Sequence, residues 1–300
     1  ALALALVVGG LGAGVQHPLA SAIVAETHTG AKSRAALGTY NFAGDIGKMA
    51  VPALLAALVT ISAWRPAAWV LAALGVAAAV ILLSVMRSMP RDGVESAPEA
   101  PQPSHDPAVP AVGYMSKGFM LLIATGLIDT STRGGFLTFL PFVLIAKGAS
   151  LPVLGVGLTL LFAGGAAGKL VCAYAGARFG MLRTVLVTES LTAMGIVALL
   201  PMPLEASLVL LPFLGIALNG TSSVLYGSVP ELVPPAARTR AFGIFYTVTV
   251  GASSLAPLLY GLLSDGVGVS WAMGAAAAVT LLTLPLATLL AGHLKLDHRP

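Results

Sequence analysis

The chain is 300 residues long, 57% hydrophobic and only 9% charged, with a formal net charge of +4. A soluble domain carries about 25% charged residues, so a water-soluble fold is excluded and lipid must be the solvent. The small, dispersed positive charge forms no basic face for nucleic acid; one cysteine, Cys172, excludes an internal disulfide, and the five histidines show no metal-ligand spacing.

A helix needs about 20 apolar residues to cross the hydrocarbon of a bilayer. Segments of that kind run near Ala1–Ala25, Ala35–Ser62, Ala67–Met86, Gly118–Ile145, Leu154–Ala175, Leu182–Met202, Leu204–Val229, Ala241–Leu263 and Trp271–Gly292. They are continuous rather than alternating, so they read as helices and not as strands of a membrane barrel. Between the third and fourth, Pro90 to Pro110 is rich in proline and charge and has almost no bulky apolar residue. It can bury nothing and reads as a linker. The expected organisation is therefore residues 1–87 as three spans, 88–117 as a cytoplasmic linker and 118–300 as six spans.

Lysine and arginine orient such a chain. The loops after the first, third, fifth and seventh spans, with the C-terminus, hold eleven: Lys32, Arg34, Arg87, Arg91, Lys117, Arg178, Arg183, Arg238, Arg240, Lys295 and Arg299. The opposite loops hold two, Arg65 and Lys147. The linker and the C-terminus are expected in the cytoplasm, and Ala1 outside. The chain starts inside an apolar run without an initiator Met, so a fragment is expected, preceded by an odd number of spans or a cleaved signal.

A shift of 205 residues lays Gly10 on Gly215, Glu26 on Glu231, Gly38 on Gly243 and Pro52 on Pro257. Both copies carry a short basic turn, Lys32-Ser-Arg34 and Arg238-Thr-Arg240. The first and second spans thus repeat as the seventh and eighth, in the same direction, as in transporters whose halves are related by an axis along the membrane normal. If the seventh and eighth spans are members four and five of their half, three spans are missing upstream.

Two six-helix halves, a charged cytoplasmic linker and matching fourth and tenth spans resemble the major facilitator superfamily. Gly12-Ala-Gly14-Val-Gln-His17-Pro18, with Glu26 and the basic turn after it, is similar to that superfamily's fourth-span pattern. The His-Pro pair looks most like the fosmidomycin-resistance type of drug exporter. Gly176-Ala-Arg178-Phe-Gly180 resembles the superfamily's cytoplasmic Asp-Arg-x-Gly signature, with Ala177 where an Asp is usual. The resemblance implies an all-α polytopic bundle with nine of twelve transmembrane helices present, the fourth to the twelfth. It also implies a monomeric multi-pass carrier of the bacterial inner membrane, not an enzyme, without cofactor or bound metal. Its partners would be lipid, protons and a small-molecule substrate.

Ionisable groups inside a bilayer cost a few kcal/mol each and usually mark a polar pathway. By helical rise, His17 lies about 13 Å from Glu26, Asp45 about 16 Å and Lys48 about 21 Å from Arg34, and Asp129 about 18 Å from Lys117. All are near the middle of a ~30 Å core, with Arg133 somewhat further out. Asp45 and Lys48 are three apart, and Asp129 and Arg133 four apart, so each pair shares a helix face. Each pair could neutralise itself and merely pack, or form a substrate or proton site. The second is favoured because the repeat replaces Asp45 with Val250, Lys48 with Ser253 and His17 with Ser222. In the superfamily, the first, fourth, seventh and tenth helices line the cavity. The corresponding spans here carry His17, Asp129, Arg133, Asn219, Thr221, Ser222, Ser223 and Tyr226. Tyr40, Asn41, Tyr246 and Gln16 are weaker candidates. Lys169 is expected to snorkel, and Glu189 to lie on a helix at the outside of the bundle. Gly10-x-x-x-Gly14 and Gly164-x-x-x-Gly168 permit close helix contact. Neither a P-loop nor a Ser-His-Asp order is present. The expected function is proton-coupled movement of a small organic solute by alternating access, with drug-like efflux first. Uptake of a small anionic metabolite, or a transport-inactive receptor, is the alternative.

Overall fold

The computed structural model describes residues 4–5, 7–10, 12, 30–88, 115–234 and 237–294. By its contacts the chain divides into Ala1–Lys48 and Met49–Pro300, each taken by itself. In the first unit the described residues up to Gly12 are helical, and α1 (Gly30–Ile61) begins. The expected span Ala1–Ala25 otherwise lies outside the described residues, as does the linker Pro90–Pro110.

The second unit contains the rest of α1, then α2 (Trp64–Ser88), α3 (Lys117–Ala146), α4 (Leu151–Phe179), α5 (Met181–Leu199) and α6 (Leu204–Leu232). It ends with α7 (Arg238–Val267), α8 (Val269–Thr280) and α9 (Thr283–Ala291). No strand occurs among the described residues. Seven stretches among these residues are long and apolar enough to cross a membrane. The helix α3 is not one of them although it has 30 residues, because Asp129-Thr-Ser-Thr-Arg133 interrupts its apolar run.

The helix ends follow from local chemistry. Ser116 caps α3, its hydroxyl accepting the N–H of Phe119 at 3.2 Å. Pro152 opens α4, where a missing N–H costs nothing. Gly180 ends α4 with φ +87 and Gly268 ends α7 with φ +92, a conformation that side chains avoid.

The last expected span, Trp271–Gly292, is broken near its middle. Pro285 has no N–H for the Leu281 carbonyl, which instead accepts from Leu284 at 3.2 Å. Leu281 and Leu282 likewise bond three residues back, to Ala278 and Val279. The Thr283 hydroxyl donates to the Thr280 carbonyl at 2.6 Å, replacing the diverted backbone donor. The span is therefore two helices joined by a tightened turn.

Lipid offers no hydrophobic force between helices, so close packing must hold the bundle. On α4, Gly164 and Gly168 lie against the backbone carbonyls of Pro212 and Ile216 on α6, while Gly215 of α6 lies against Leu161 of α4. A Cβ at any of these positions would collide with backbone. The expected Gly164-x-x-x-Gly168 contact is thus made. On α3, Gly126 meets the Phe245 ring and Gly134 meets Ser253, both on α7. By contrast α2 is exposed along nearly its whole length, Ala67 being its buried residue, as befits a helix facing lipid.

The apolar core forms two layers. One joins Phe119, Leu122, Val185, Leu225, Val229, Phe245, Ala287 and Leu290. The other joins Phe136, Leu140, Leu144, Ile196, Leu199, Leu211, Leu214, Met273 and Ala277. Along α3, α5, α6 and the α8–α9 span, the residues between these two sets are the polar ones.

Candidate functional site

The buried polar residues between the two layers come from every helix of that group. From α3 come Asp129, Thr130 and Thr132; from α5, Thr188, Glu189 and Thr192; from α6, Thr221 and Ser222; from the broken span, Thr280 and Thr283. The layer exists because each apolar run is interrupted at about mid-length, some 12 residues or about 18 Å from the start of α3.

Asp129 is 3% exposed and Glu189 is 2% exposed. The Asp129 and Glu189 carboxyl groups lie within hydrogen-bonding reach of each other. Arg133 stands one turn from Asp129, its guanidinium nitrogen 3.9 Å from Oδ2. That is an ion pair at the limit of contact and not a hydrogen bond. Asp129 Oδ2 has no hydrogen-bond donor. The Thr283 hydroxyl sits 3.5 Å from Glu189 Oε2, and Thr221 also reaches the Glu189 carboxyl. Two hydroxyl links tie the helices together around the carboxyls: Thr188 to Thr221 at 2.7 Å and Thr280 to Thr132 at 2.8 Å.

Tyr226 is half-buried on α6, edge-on to Phe245 and 5.1 Å from the Tyr246 ring. The charges of Arg133 and Asp129 act on its hydroxyl. Asn219 turns elsewhere: it packs on Gly165 of α4, and its amide donates to the Gly215 carbonyl at 3.3 Å. Ser222 bonds its own helix at Asn219. Lys169 is half-buried on α4. In the first unit, Asp45 is buried and accepts from Lys48 Nζ at 3.3 Å, while the Lys48 side chain is exposed. His17 and Gln16 lie outside the described residues, and for Tyr40 and Asn41 only their place on α1 is described.

The structure thus brings together Asp129, Arg133, Thr221 and, more distantly, Tyr226. It adds one residue that the sequence reading misplaced. Glu189 does not lie at the outside of the bundle; it faces the interior beside Asp129. The signal was present in α5, where Thr184, Thr188 and Thr192 recur every four residues and mark one buried polar face with Glu189 beside it. Among the described residues no group of His, Cys, Asp and Glu is arranged to hold a metal ion.

Long apolar helices around a buried polar layer define an integral membrane protein that crosses the bilayer several times. The family model of the Major Facilitator Superfamily matches residues 1–142 and 121–299. The chain belongs to the Major Facilitator Superfamily, a family of membrane transporters. No protein of curated function matches it at a significant level.

Proposed function

We propose that the protein is a secondary active transporter that couples proton movement to export of a small, drug-like organic molecule, by rocking of two halves about a midplane site. The observation that carries this reading is the buried layer containing Asp129, Arg133 and Glu189 between two apolar layers. Charged groups at that depth are costly for a scaffold and useful for a pathway. Asp45, Lys48, His17, Asn219 and Tyr226 complete the proposed substrate and proton path. The nine spans take the places of the fourth to twelfth helices of the superfamily, in a bacterial inner membrane. The linker and C-terminus are cytoplasmic, and the protein works as a monomer. The His17-Pro18 pair supports a place near the fosmidomycin-resistance type of antiporter.

Uptake of a small anionic metabolite is the second reading, favoured by the cations Arg133 and Lys48, of which Arg133 keeps 20% of its side chain exposed inside the bundle. The two readings differ in direction. A panel of cationic, neutral and anionic solutes, offered to vesicles bearing the full-length protein under an imposed pH gradient, separates them. Efflux-type exchange of a neutral or cationic solute against protons supports the first, and proton-driven accumulation of an anion supports the second. Absence of movement for every class, with the protein folded, argues for a receptor instead.

A further inference from the structure

The hydroxyl groups around Glu189 have mostly spent their protons elsewhere. Thr283 makes its shorter bond, 2.6 Å, to the Thr280 carbonyl. Thr188 donates to the Thr184 carbonyl at 2.9 Å, so in its 2.7 Å contact with Thr221 the proton comes from Thr221. Thr130 donates to the Gly126 carbonyl at 2.7 Å. A hydroxyl has one proton to give and two lone pairs to offer. Both threonines that reach the Glu189 carboxyl therefore face it as acceptors. Asp129 Oδ2 has no donor, and the only cation that faces it, Arg133, stands 3.9 Å away.

Charge leads to the same shortage. The ionisable groups facing Glu189 are Asp129 and Arg133 from α3; Tyr226 from α6 faces that pair, and Tyr260 from α7 reaches Thr132. The broken span contributes threonines alone to the cluster. Two carboxylates and one guanidinium leave one negative charge uncompensated inside the bilayer, where such a charge is costly. One bound proton neutralises the cluster. It also supplies the donor that Asp129 Oδ2 lacks, because two facing carboxyl groups form a hydrogen bond only when one is protonated.

We propose that Glu189 and Asp129 share one proton and together form a proton-binding site of the carrier, with Arg133 as its counter-charge and Thr221 and Thr283 accepting from it. The assignment rests on the proton-coupled reading for its role in transport, but the site itself is defined without any cargo. No bond other than O–H changes: the proton arrives from water and returns to it. With the proton bound, the two carboxyls hold each other. Once it leaves, they repel, and Asp129 has only Arg133 to turn to. Proton loss therefore changes the contacts between α3 and α5 at mid-depth. Glu189 is placed on the proton path by this reading.

Infrared difference spectroscopy of the purified full-length protein in lipid, stepped in pH, tests the site directly. A titrating band of a protonated carboxyl is expected. Glu189→Gln is expected to abolish it, Asp129→Asn to change its frequency, and Glu205→Gln, at an exposed helix start, to leave it as it is. If either first variant fails to fold, Thr283→Val, which removes only a hydroxyl at Glu189, is expected to shift the band. A band that survives Glu189→Gln, or keeps its frequency in both Asp129→Asn and Thr283→Val, overturns the site. Transport is measured separately on the same samples. A normal titrating band with no solute movement would leave the proton site standing and remove the transporter reading, and coupled transport without the band would do the reverse.

Discussion

Asp129 and Arg133 show how a single pair of residues is read at two levels. Their four-residue spacing was enough to place them on one helix face, and the model sets them 3.9 Å apart. The spacing said nothing of Glu189, because residues 60 positions apart in sequence meet only through the packing of α3 on α5. Removing one partner of a buried pair leaves an uncompensated charge and costs roughly 3–5 kcal/mol. Arg133 then distinguishes a structural from a functional role. If the cluster is a proton site, Asp129→Asn/Arg133→Met is expected to fold, by thermal melting, yet fail to drive uphill movement while down-gradient exchange survives. Full uphill accumulation by this double variant would reduce the pair to packing. The Asp45–Lys48 pair is expected to respond the same way to Asp45→Asn/Lys48→Met. Lys147 makes a simpler case. Its ammonium donates to the carbonyls of Leu200, at 2.9 Å, and Met202, beyond the end of α5. Lys147→Met strips those carbonyls of their donor and is expected to cost about 1–3 kcal/mol, read as a lowered melting temperature with coupling intact.

At the scale of the element, apolar runs gave the helices from α3 to α7 nearly their full lengths. The expected Gly118–Ile145 and Leu204–Val229 differ from α3 and α6 by three residues or fewer at each end. Continuous hydropathy encodes a span because every backbone group must be satisfied inside it. The break in the last span escaped the same reasoning: hydropathy sums side chains, whereas the break is a matter of one missing N–H at Pro285. That residue was visible and its consequence was local. Pro285→Ala restores a donor for the Leu281 carbonyl and is expected to join α8 to α9. Thr280 and Thr283 would then leave their present positions toward Thr132 and Glu189. The expected outcome is a melting temperature that holds or rises while proton-driven transport falls. A drop in stability with coupling preserved would contradict the role assigned to the broken turn. The α4–α6 contact carries a second expectation. Gly168→Val pushes a side chain into the Ile216 backbone, and overpacking of this kind costs about 1–3 kcal/mol or more, seen as a lower melting temperature in detergent.

For the whole molecule, composition alone fixed the solvent and the fold class, and the family match agrees with both. The charge bias of eleven cationic residues against two sets the expected orientation. Reporter fusions at Ser104 and after Pro300 are expected to give cytoplasmic signals, and an external signal at either place would break the proposed topology. The layered core was not legible. Hydropathy marks α3 as less apolar than its neighbours but does not say which helices bring their threonines to the same depth. Tertiary packing decides that.

The central claim is that a pH gradient does work on a solute through the buried charged layer. Full-length protein reconstituted in vesicles, given an imposed pH gradient and a panel of small organic solutes, measures this most directly. Wild-type protein is expected to move at least one solute uphill, with the direction reversing when the gradient is reversed, and Glu189→Gln is expected to abolish that uphill movement while retaining down-gradient exchange. Uphill movement of the same size with the gradient collapsed, or undiminished in Glu189→Gln, would contradict the account.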